Sequence, residues 1–223
     1  MRYFFLSYAH GQHDDLVEAF FTDLSGEVRE HAGRDRDDEV GFRAHHDANA
    51  DHWSPDLVNA LQTAHTFIAL CSPGYFRSPS CGREWWVFAQ RLANLRAAGL
   101  PPPALIPLFW LPTEIPAHLT DLQYSDPSFG SAYEQHGIRR LLQLGRLRDD
   151  YLEFVTAVAI RVTATAEQHT PPSLVPSPTF ASAADAFAVE APPHRSPSPV
   201  RRRSPAKLPL LTYEENRDDD EYR

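Results

Sequence analysis

The chain has 223 residues and a formal net charge of −9, which suits one domain with an appendage better than two full domains. The acidic balance argues against general binding to nucleic acid or to a membrane surface, and no apolar run approaches the roughly 20 residues that span a bilayer. Two cysteines, Cys71 and Cys81, are too few for a disulfide framework, and no signal segment opens the sequence, so we predict a cytoplasmic protein with reduced, buried thiols.

The first apolar run predicts a buried strand. Residues 2–8 are rich in aromatic side chains, as is typical of a strand that is covered on both faces of a parallel sheet. The polar loop that follows contains His10 and Gly11, and Asp14 begins an acidic first turn of a helix. Apolar side chains then recur at every fourth position, at Leu16, Phe20, Leu24 and Val28. This spacing predicts an amphipathic helix that packs on the sheet.

The next segments repeat the alternation of strand and helix. Residues 40–43 predict a short second strand, and a polar loop over residues 44–53 leads to Ser54 and Pro55, the hydroxyl cap and first-turn proline of a helix. Residues 66–71 are mostly apolar between polar flanks and predict a third strand that is buried on both faces. Strands that alternate with helices predict a parallel sheet with right-handed crossovers.

A third helix follows a break at residues 72–74. Ser78 and Pro79 supply the same cap and proline signal that begins the second helix. Its apolar residues recur at alternating spacings of four and three, at Cys81, Trp85, Phe88, Leu92 and Leu95. These side chains therefore share one face, which we predict to be core, and Glu84 lies at the margin of that face.

The remaining apolar segments complete a predicted flavodoxin-like fold. Residues 104–110 predict a fourth strand, in which Pro107 removes one ladder donor and predicts a bulge or one-sided pairing. Residues 123 and 124 predict a short fifth strand, and residues 138–166 predict helix with a break near Gly145. We predict an α/β three-layer sandwich with five parallel strands in the order 2-1-3-4-5.

The composition changes at residue 169. Residues 169–223 hold 10 of the 20 prolines, a basic run at residues 201–203 and an acidic end at residues 214–221. We therefore predict a domain over residues 1–168 and a disordered tail over residues 169–223. The apolar residues 208–213 either dock on an unknown protein partner or are solvated without one. The acidic end competes with nucleic acid for the basic run, so a nucleic-acid partner is not favoured.

The predicted topology locates a candidate site. In the order 2-1-3-4-5, ligands bind at the carboxyl ends of strands one and three, which here means the loops after Tyr8 and Cys71. These loops carry His10, Gly11, Ser72 and Tyr75. The helix beyond them brings Glu84 to the crevice, where a carboxylate can stabilise a developing cation. The alternative interpretation is a boundary glutamate that pairs with Arg83 or Arg91.

Three motifs in this order resemble the first-strand and third-helix motifs of TIR domains. They are Tyr-Phe-Phe-Leu-Ser-Tyr-Ala at residues 3–9, Ser-Pro-Gly-Tyr-Phe at residues 72–76 followed by Ser78, and Cys-Gly-Arg-Glu-Trp at residues 81–85. The resemblance covers roughly residues 1–166 and is closest to the bacterial TIR-like branch called FxsC. That branch shares the landmarks Gly41, Phe42, Trp53, Trp110 and Gln123.

The resemblance implies a function in signalling or defence and two activities. Many TIR domains cleave NAD at the nicotinamide glycosidic bond with a glutamate at the position of Glu84, so NAD is an expected substrate and no separate cofactor is expected. TIR domains also associate homotypically, using the loop that corresponds to residues 44–53. A non-catalytic adaptor that acts through this loop and an exposed Trp53 is therefore the alternative to an NAD glycohydrolase. The residues expected to hold NAD are Ser7, Tyr8, His10, Gly11, Trp53, Ser72 and Tyr75, with Tyr8 and Trp53 as stacking surfaces for the base rings.

The sequence departs from active TIR enzymes at three positions. These enzymes commonly have tryptophan four residues before the glutamate, where this chain has Ser80. Related sequences often have aspartate after the second strand and glycine in the following loop, where this chain has Ala44 and Ala50. Loss of an aromatic ring removes a stacking contact of about 1 kcal/mol, so we expect weaker substrate binding.

Two other constellations are weaker candidates. The loop residues His45, His46, Asp47, Asp51 and His52 include metal-ligand types. Adjacent histidines in an extended loop point apart, and no rigid element fixes them, so we predict no metal site. Ser7 or Ser72 could be grouped with His10 as in a hydrolase triad, but the sequence lacks the nucleophile-elbow motif.

Overall fold

The computed structural model describes residues 1–11, 13–44, 52–97, 104–119, 126–168 and 170–188. Within these ranges one sheet contains four parallel strands in the order β2-β1-β3-β4. The strands are β1 (Phe4–Tyr8), β2 (Gly41–Arg43), β3 (Thr66–Cys71) and β4 (Leu105–Phe109). This order confirms the predicted 2-1-3-4 arrangement, while the fifth strand predicted at residues 123 and 124 lies outside the described residues.

Five α-helices flank the sheet in the described part of the chain. They are α1 (Asp14–Ala32), α2 (Pro55–Thr63), α3 (Pro79–Ala97), α4 (Ser131–Gln143) and α5 (Arg148–Gln168). The predicted last helix is divided by a short 3-10 turn at Gly145–Leu147, which confirms the break. None of these helices is both long and apolar enough to cross a membrane.

The two predicted inner strands lie side by side. β1 pairs with β3 along its whole length, with Phe4 opposite Thr66 and Tyr8 opposite Leu70. β4 pairs with the other side of β3 in unbroken register, and Pro107 stands opposite Ala69. The ladder between β3 and β4 continues past Pro107 without a bulge, so the bulge that the proline signal predicted as one of two outcomes does not occur in this pairing.

Side chains alternate along the inner strands, which divides the apolar residues between two cores. Phe4, Leu6 and Tyr8 face one core, which α1, α4 and α5 cover. Phe5 faces the other core, together with apolar residues of α2 and α3. Ser7 follows the same alternation as Phe5 and lies on the α3 face of the sheet. The two helical layers confirm the predicted three-layer sandwich.

Local signals at the helix starts are confirmed. The Ser54 side chain accepts a hydrogen bond from the Leu57 N–H at 3.2 Å, and Ser78 accepts one from the Cys81 N–H at 3.3 Å. Each bond satisfies an N–H that the first turn leaves without a helical acceptor. These caps fix where α2 and α3 begin, and so fix which side chains of α3 reach the sheet.

The compact domain extends beyond the predicted boundary at residue 168. It runs from Met1 to Ala188, and the segment 170–188, which we call the strap, packs on α2 and α3. Composition assigned these residues to a disordered tail, but Ala183 and Phe187 are buried in the core on the α3 side. The rest of the predicted tail, residues 189–223, lies outside the described residues.

Candidate active site

Glu84 is the centre of the candidate site. It is fully buried, and the Ser7 hydroxyl donates a hydrogen bond of 2.5 Å to its Oε2. The Tyr75 hydroxyl in turn donates to Ser7 Oγ at 3.1 Å. The Ser7 hydroxyl therefore joins a carboxylate of α3 to the carboxyl end of β1, and the Tyr75 hydroxyl holds Ser7 in turn. This is the arrangement expected if α3 directs Glu84 toward the sheet.

Short-range contacts hold Tyr75 in position. It begins a 3-10 turn, Tyr75–Arg77, that connects β3 to α3, and its N–H donates to Ser72 Oγ at 3.1 Å. Burial raises the pKa of the Tyr75 hydroxyl well above its usual value, so the group remains a proton donor at neutral pH. Ser72 therefore acts on the site through the backbone of Tyr75.

Cys81 connects the first turn of α3 to the same strand end. Its Sγ donates to the Tyr8 carbonyl oxygen at 3.4 Å. Burial, and secondarily the charge of Glu84, raise the pKa of the Cys81 thiol, so the thiol stays protonated and serves as a donor. Because this thiol lies close to the site and is 1% exposed, it is a natural reporter of access to the crevice.

The two arginines considered as partners of Glu84 are held by other groups. Arg91 is buried, and its guanidinium donates to four backbone carbonyls, those of Leu61, Ala64, Pro171 and Pro172. Burial lowers the pKa of Arg91 to about 10. The Arg83 guanidinium lies over the Phe180 ring, 4.3 Å from its centroid. Both arginines therefore hold the strap, a role that their spacing on the helix did not indicate.

The remaining predicted residues form a second cluster on the opposite face of the sheet. The Tyr8 hydroxyl lies 3.3 Å from His10 Nδ1, which lies 3.1 Å from Asp14 Oδ2. The Gly11 N–H donates to Asp14 Oδ1 at 2.9 Å, and Arg43 Nη1 donates to the Tyr8 hydroxyl at 3.4 Å. The structure therefore separates Tyr8, His10 and Gly11 from Glu84, because neighbouring residues of a strand face opposite ways.

Trp53 does not have the exposed position that the sequence suggested. Its ring is half-buried and packs edge-on against Phe180 of the strap, with 5.7 Å between centroids. Most of the preceding loop, residues 45–51, lies outside the described residues, including His45, His46, Asp47 and Asp51 of the metal alternative. Within the part of the chain that the structure describes, no group of three or more metal-ligating side chains is present.

Aromatic side chains pack together beside Glu84. Phe187 of the strap contacts Tyr75, Phe76 and Trp85 with ring centroids 5.3–5.6 Å apart. Two surface depressions elsewhere in the described residues are lined by residues near β2, and neither is lined by Glu84, Ser7 or Tyr75. Sequence reasoning missed Phe187, because nothing local connects an aromatic residue after α5 with the start of α3.

A comparison with protein-family models agrees with the motif resemblance. A family model described as TIR domain matches residues 4–142, more than half of the chain. The chain is also similar to a crystal structure of the TIR domain of the Toll-related receptor TRR-2 from the lower metazoan Hydra magnipapillata, with 17% sequence identity, a TM-score of 0.39, and coverage of 67% of this chain and 98% of that chain. A search among curated proteins finds no match. The family match includes all four strands and α3, and the strap follows it.

Proposed function

Because the chain belongs to the TIR domain family, we propose that it cleaves NAD at the nicotinamide glycosidic bond, with Glu84 as the catalytic carboxylate. The proposal includes action in cytoplasmic signalling or defence, on NAD as the substrate, by a bacterial protein of the FxsC-like branch. It also includes assembly through homotypic contacts between TIR domains, as is common in the family. The motif resemblance supports these finer assignments.

The observation that carries the proposal is the fixed, buried carboxylate. Glu84 lies at the carboxyl end of β1, held by Ser7 at 2.5 Å, and the Tyr75 hydroxyl holds Ser7. In open α/β sheets the usual ligand crevice lies outside the carboxyl ends of two neighbouring strands whose following connections run in opposite directions, which here are β1 and β3. A carboxylate held there away from water stabilises a nearby positive charge more strongly than a solvated one does, and needs no reorganisation during the reaction.

The chemistry requires only that one positive centre be stabilised. The bond between the ribosyl C1′ and the nicotinamide nitrogen breaks, and its electron pair leaves with nicotinamide, which departs as a neutral molecule. The ribosyl centre becomes oxocarbenium-like, and the Glu84 carboxylate stabilises its charge. Water then adds at C1′ and releases a proton, which gives ADP-ribose. Ser7 and Tyr75 act as positioning residues because they hold the carboxylate.

The residues of the second cluster have a different place in this proposal. The Tyr8 ring packs on His10, with 4.4 Å between ring centroids, on the α1 face of the sheet. It therefore cannot stack on a base that lies beside Glu84 without leaving its core. Together with Ser80 in place of the usual tryptophan, this arrangement predicts weak binding of NAD, so activity should require high substrate and protein concentrations.

Nicotinamide release from NAD by the full-length chain tests the proposal. Glu84→Gln keeps the shape and can still accept a hydrogen bond from Ser7, but it removes the charge, so we expect a loss on the order of 100-fold or more. Glu153→Gln makes the same chemical change at an exposed site on α5 and should leave the rate unchanged. Equal rates of nicotinamide release for wild type and Glu84→Gln, at concentrations where the protein self-associates, would refute the proposed NAD cleavage.

That result would favour the alternative, a non-catalytic adaptor that acts by homotypic association. The structure removes one argument for the adaptor, because Trp53 is half-buried against Phe180 instead of exposed. Light scattering over a range of protein concentrations measures the association directly. A chain that assembles and has no Glu84-dependent activity would be the adaptor.

A further inference from the structure

The strap is attached at its first residues by side chains that bind its backbone. Arg91 donates to the carbonyl oxygens of Pro171 at 2.6 Å and Pro172 at 3.0 Å. The Gln62 amide pairs with Leu174, donating to its carbonyl and accepting from its N–H, both at 3.0 Å. The Gln62 amide thus pairs with the strap backbone, and Arg91 joins the strap to the Leu61 and Ala64 carbonyls of the domain, so the two side chains form a docking site for this segment.

The far end of the strap is attached at the start of α3. The Ala186 N–H donates to the Gly82 carbonyl at 3.2 Å, and His118 Nε2 lies 2.9 Å from the Ala186 carbonyl oxygen. A Cβ at position 82 would overlap the Asp185 side chain, so a larger residue there displaces that side chain from its place against α3. The backbone of α3 and the strap are therefore matched to each other two residues before Glu84.

The middle of the strap is attached less firmly. Val175 is 95% exposed, and the residues on either side of Ala183 are also exposed. Phe180 contacts Trp53 and Arg83, and Pro178 is buried. A segment that is anchored through its backbone at both ends, with several exposed residues between them, can release one end without unfolding the domain.

The end that lies near the candidate site is the one that contains Phe187. This ring contacts Tyr75 at 5.4 Å between centroids, and Tyr75 holds Ser7, the hydrogen-bond donor to Glu84. Phe187 also contacts Trp85, the residue after Glu84 on α3. Glu84 is fully buried, so a substrate reaches it only when side chains that cover it move, and Phe187 packs on two of the residues next to it.

We propose that the strap, residues 170–188, is an autoinhibitory lid: its end at residues 183–188 closes the Glu84 crevice, and release of that end opens the crevice to NAD. The role of the lid in NAD cleavage rests on the proposed function, whereas closure of the crevice does not. The observed rate is then the rate of the open form multiplied by the fraction of molecules that are open.

Two variants release the strap from opposite sides. Phe187→Ala removes the ring that packs on Tyr75, and Gly82→Ala places a methyl group against Asp185 while leaving the strap sequence intact. Val175→Ala changes an exposed strap residue and is the matched control. Amide hydrogen exchange at Ala186, whose N–H donates to Gly82, reports directly whether the strap has lifted.

Thiol labelling in the full-length chain reports whether the crevice has opened. Cys81 lies at the crevice, and Cys71, fully buried in β3, is an internal reference for global unfolding. Labelling with a small aromatic disulfide, followed by mass mapping, should be about tenfold faster at Cys81 in both release variants and unchanged at Cys71. The Val175→Ala variant should match wild type at both thiols.

The possible outcomes distinguish the lid proposal from the proposed NAD cleavage. Faster exchange at Ala186 with unchanged labelling of Cys81 would refute the lid proposal, and so would rapid labelling of Cys81 in the wild type. Faster labelling with increased nicotinamide release, abolished by Glu84→Gln in the same background, is the expected result. Faster labelling without nicotinamide release from any variant would refute the proposed function and leave closure of the crevice established.

Discussion

The two polar clusters at the carboxyl end of β1 share a strand but differ in burial and in their partners. Ser7 is fully buried and bonds to Glu84 of α3, whereas Tyr8 bonds to the exposed loop residue His10 and to Arg43 of β2. Ser7 and Tyr8 are adjacent in the sequence, but their side chains lie on opposite faces of the sheet.

The difference shows which polar residues can perform chemistry that depends on a fixed charge. In the buried cluster each hydroxyl has a defined partner in a water-excluded setting, so the orientation of Glu84 is determined by packing. In the second cluster, the His10 and Asp14 side chains are 31% and 41% exposed, so water screens their interaction at 3.1 Å. We therefore expect changes in the first cluster to have much larger effects than chemically similar changes in the second.

Removal of the hydroxyl that holds Glu84 should have the largest effect. Ser7→Ala deletes a 2.5 Å hydrogen bond to a buried carboxylate, which typically stabilises a fold by about 1.5–3 kcal/mol. Urea unfolding measures that loss, and nicotinamide release should fall about tenfold, mainly in kcat, because the carboxylate is less well positioned. Tyr8→Phe removes a hydroxyl from the second cluster and is the matched control, with a change in rate of less than about twofold. Equal losses in the two variants would show that the clusters do not differ as proposed.

Local signals predicted the fold to within a few residues. Ser54 and Ser78 cap their helices because a serine hydroxyl accepts a hydrogen bond from a first-turn N–H, and this interaction depends only on residues next to it in the sequence. The apolar stripe of α3 and the two doubly covered strands follow from burial alone, and they were sufficient to place Glu84 beside β1. Predictions that depend on neighbours in sequence, or on one well-known topology, therefore succeeded.

Predictions that depend on distant partners failed. The strap has the prolines and small polar residues of a disordered tail, and its docking depends on Arg91 and Gln62, which are about 80 and 110 residues away along the chain. The grouping of Tyr8 with Ser7 is wrong for a simpler reason, because consecutive residues of β1 place their side chains on opposite faces of the sheet. Trp53 was expected to be exposed because its partner, Phe180, lies in the same strap.

A smaller effect is expected at the next hydroxyl of the buried chain. Tyr75→Phe keeps the ring that contacts Phe187 and removes the donor to Ser7, a neutral hydrogen bond that typically contributes about 1 kcal/mol. Urea unfolding should show a loss of about 1 kcal/mol in the free energy of unfolding, which is less than for Ser7→Ala. The rate of nicotinamide release should fall by about fivefold or less. A larger loss in Tyr75→Phe than in Ser7→Ala would mean that Tyr75, not Ser7, is what fixes Glu84.

The smallest effect concerns the alkaline limit of stability. Burial raises the pKa of Tyr8 from 10.0 to about 12, so the folded state holds this proton more tightly than the unfolded state does. The stabilisation is complete below pH 10 and is lost as the pH rises through about 12, because the unfolded chain then loses the proton first. In Tyr8→Phe, the free energy of unfolding should therefore fall less between pH 9 and pH 11 than in wild type, as urea titrations at the two pH values would show.

The opposing contribution of Arg91, whose pKa is lowered to about 10, is common to both proteins and cancels in the comparison. Tyr75→Phe should reduce the loss between pH 9 and pH 11 by a similar amount, because in this range both folded hydroxyls stay protonated and only the tyrosine of the unfolded chain titrates. A Tyr8→Phe variant with the same alkaline loss as wild type would contradict the raised pKa of Tyr8.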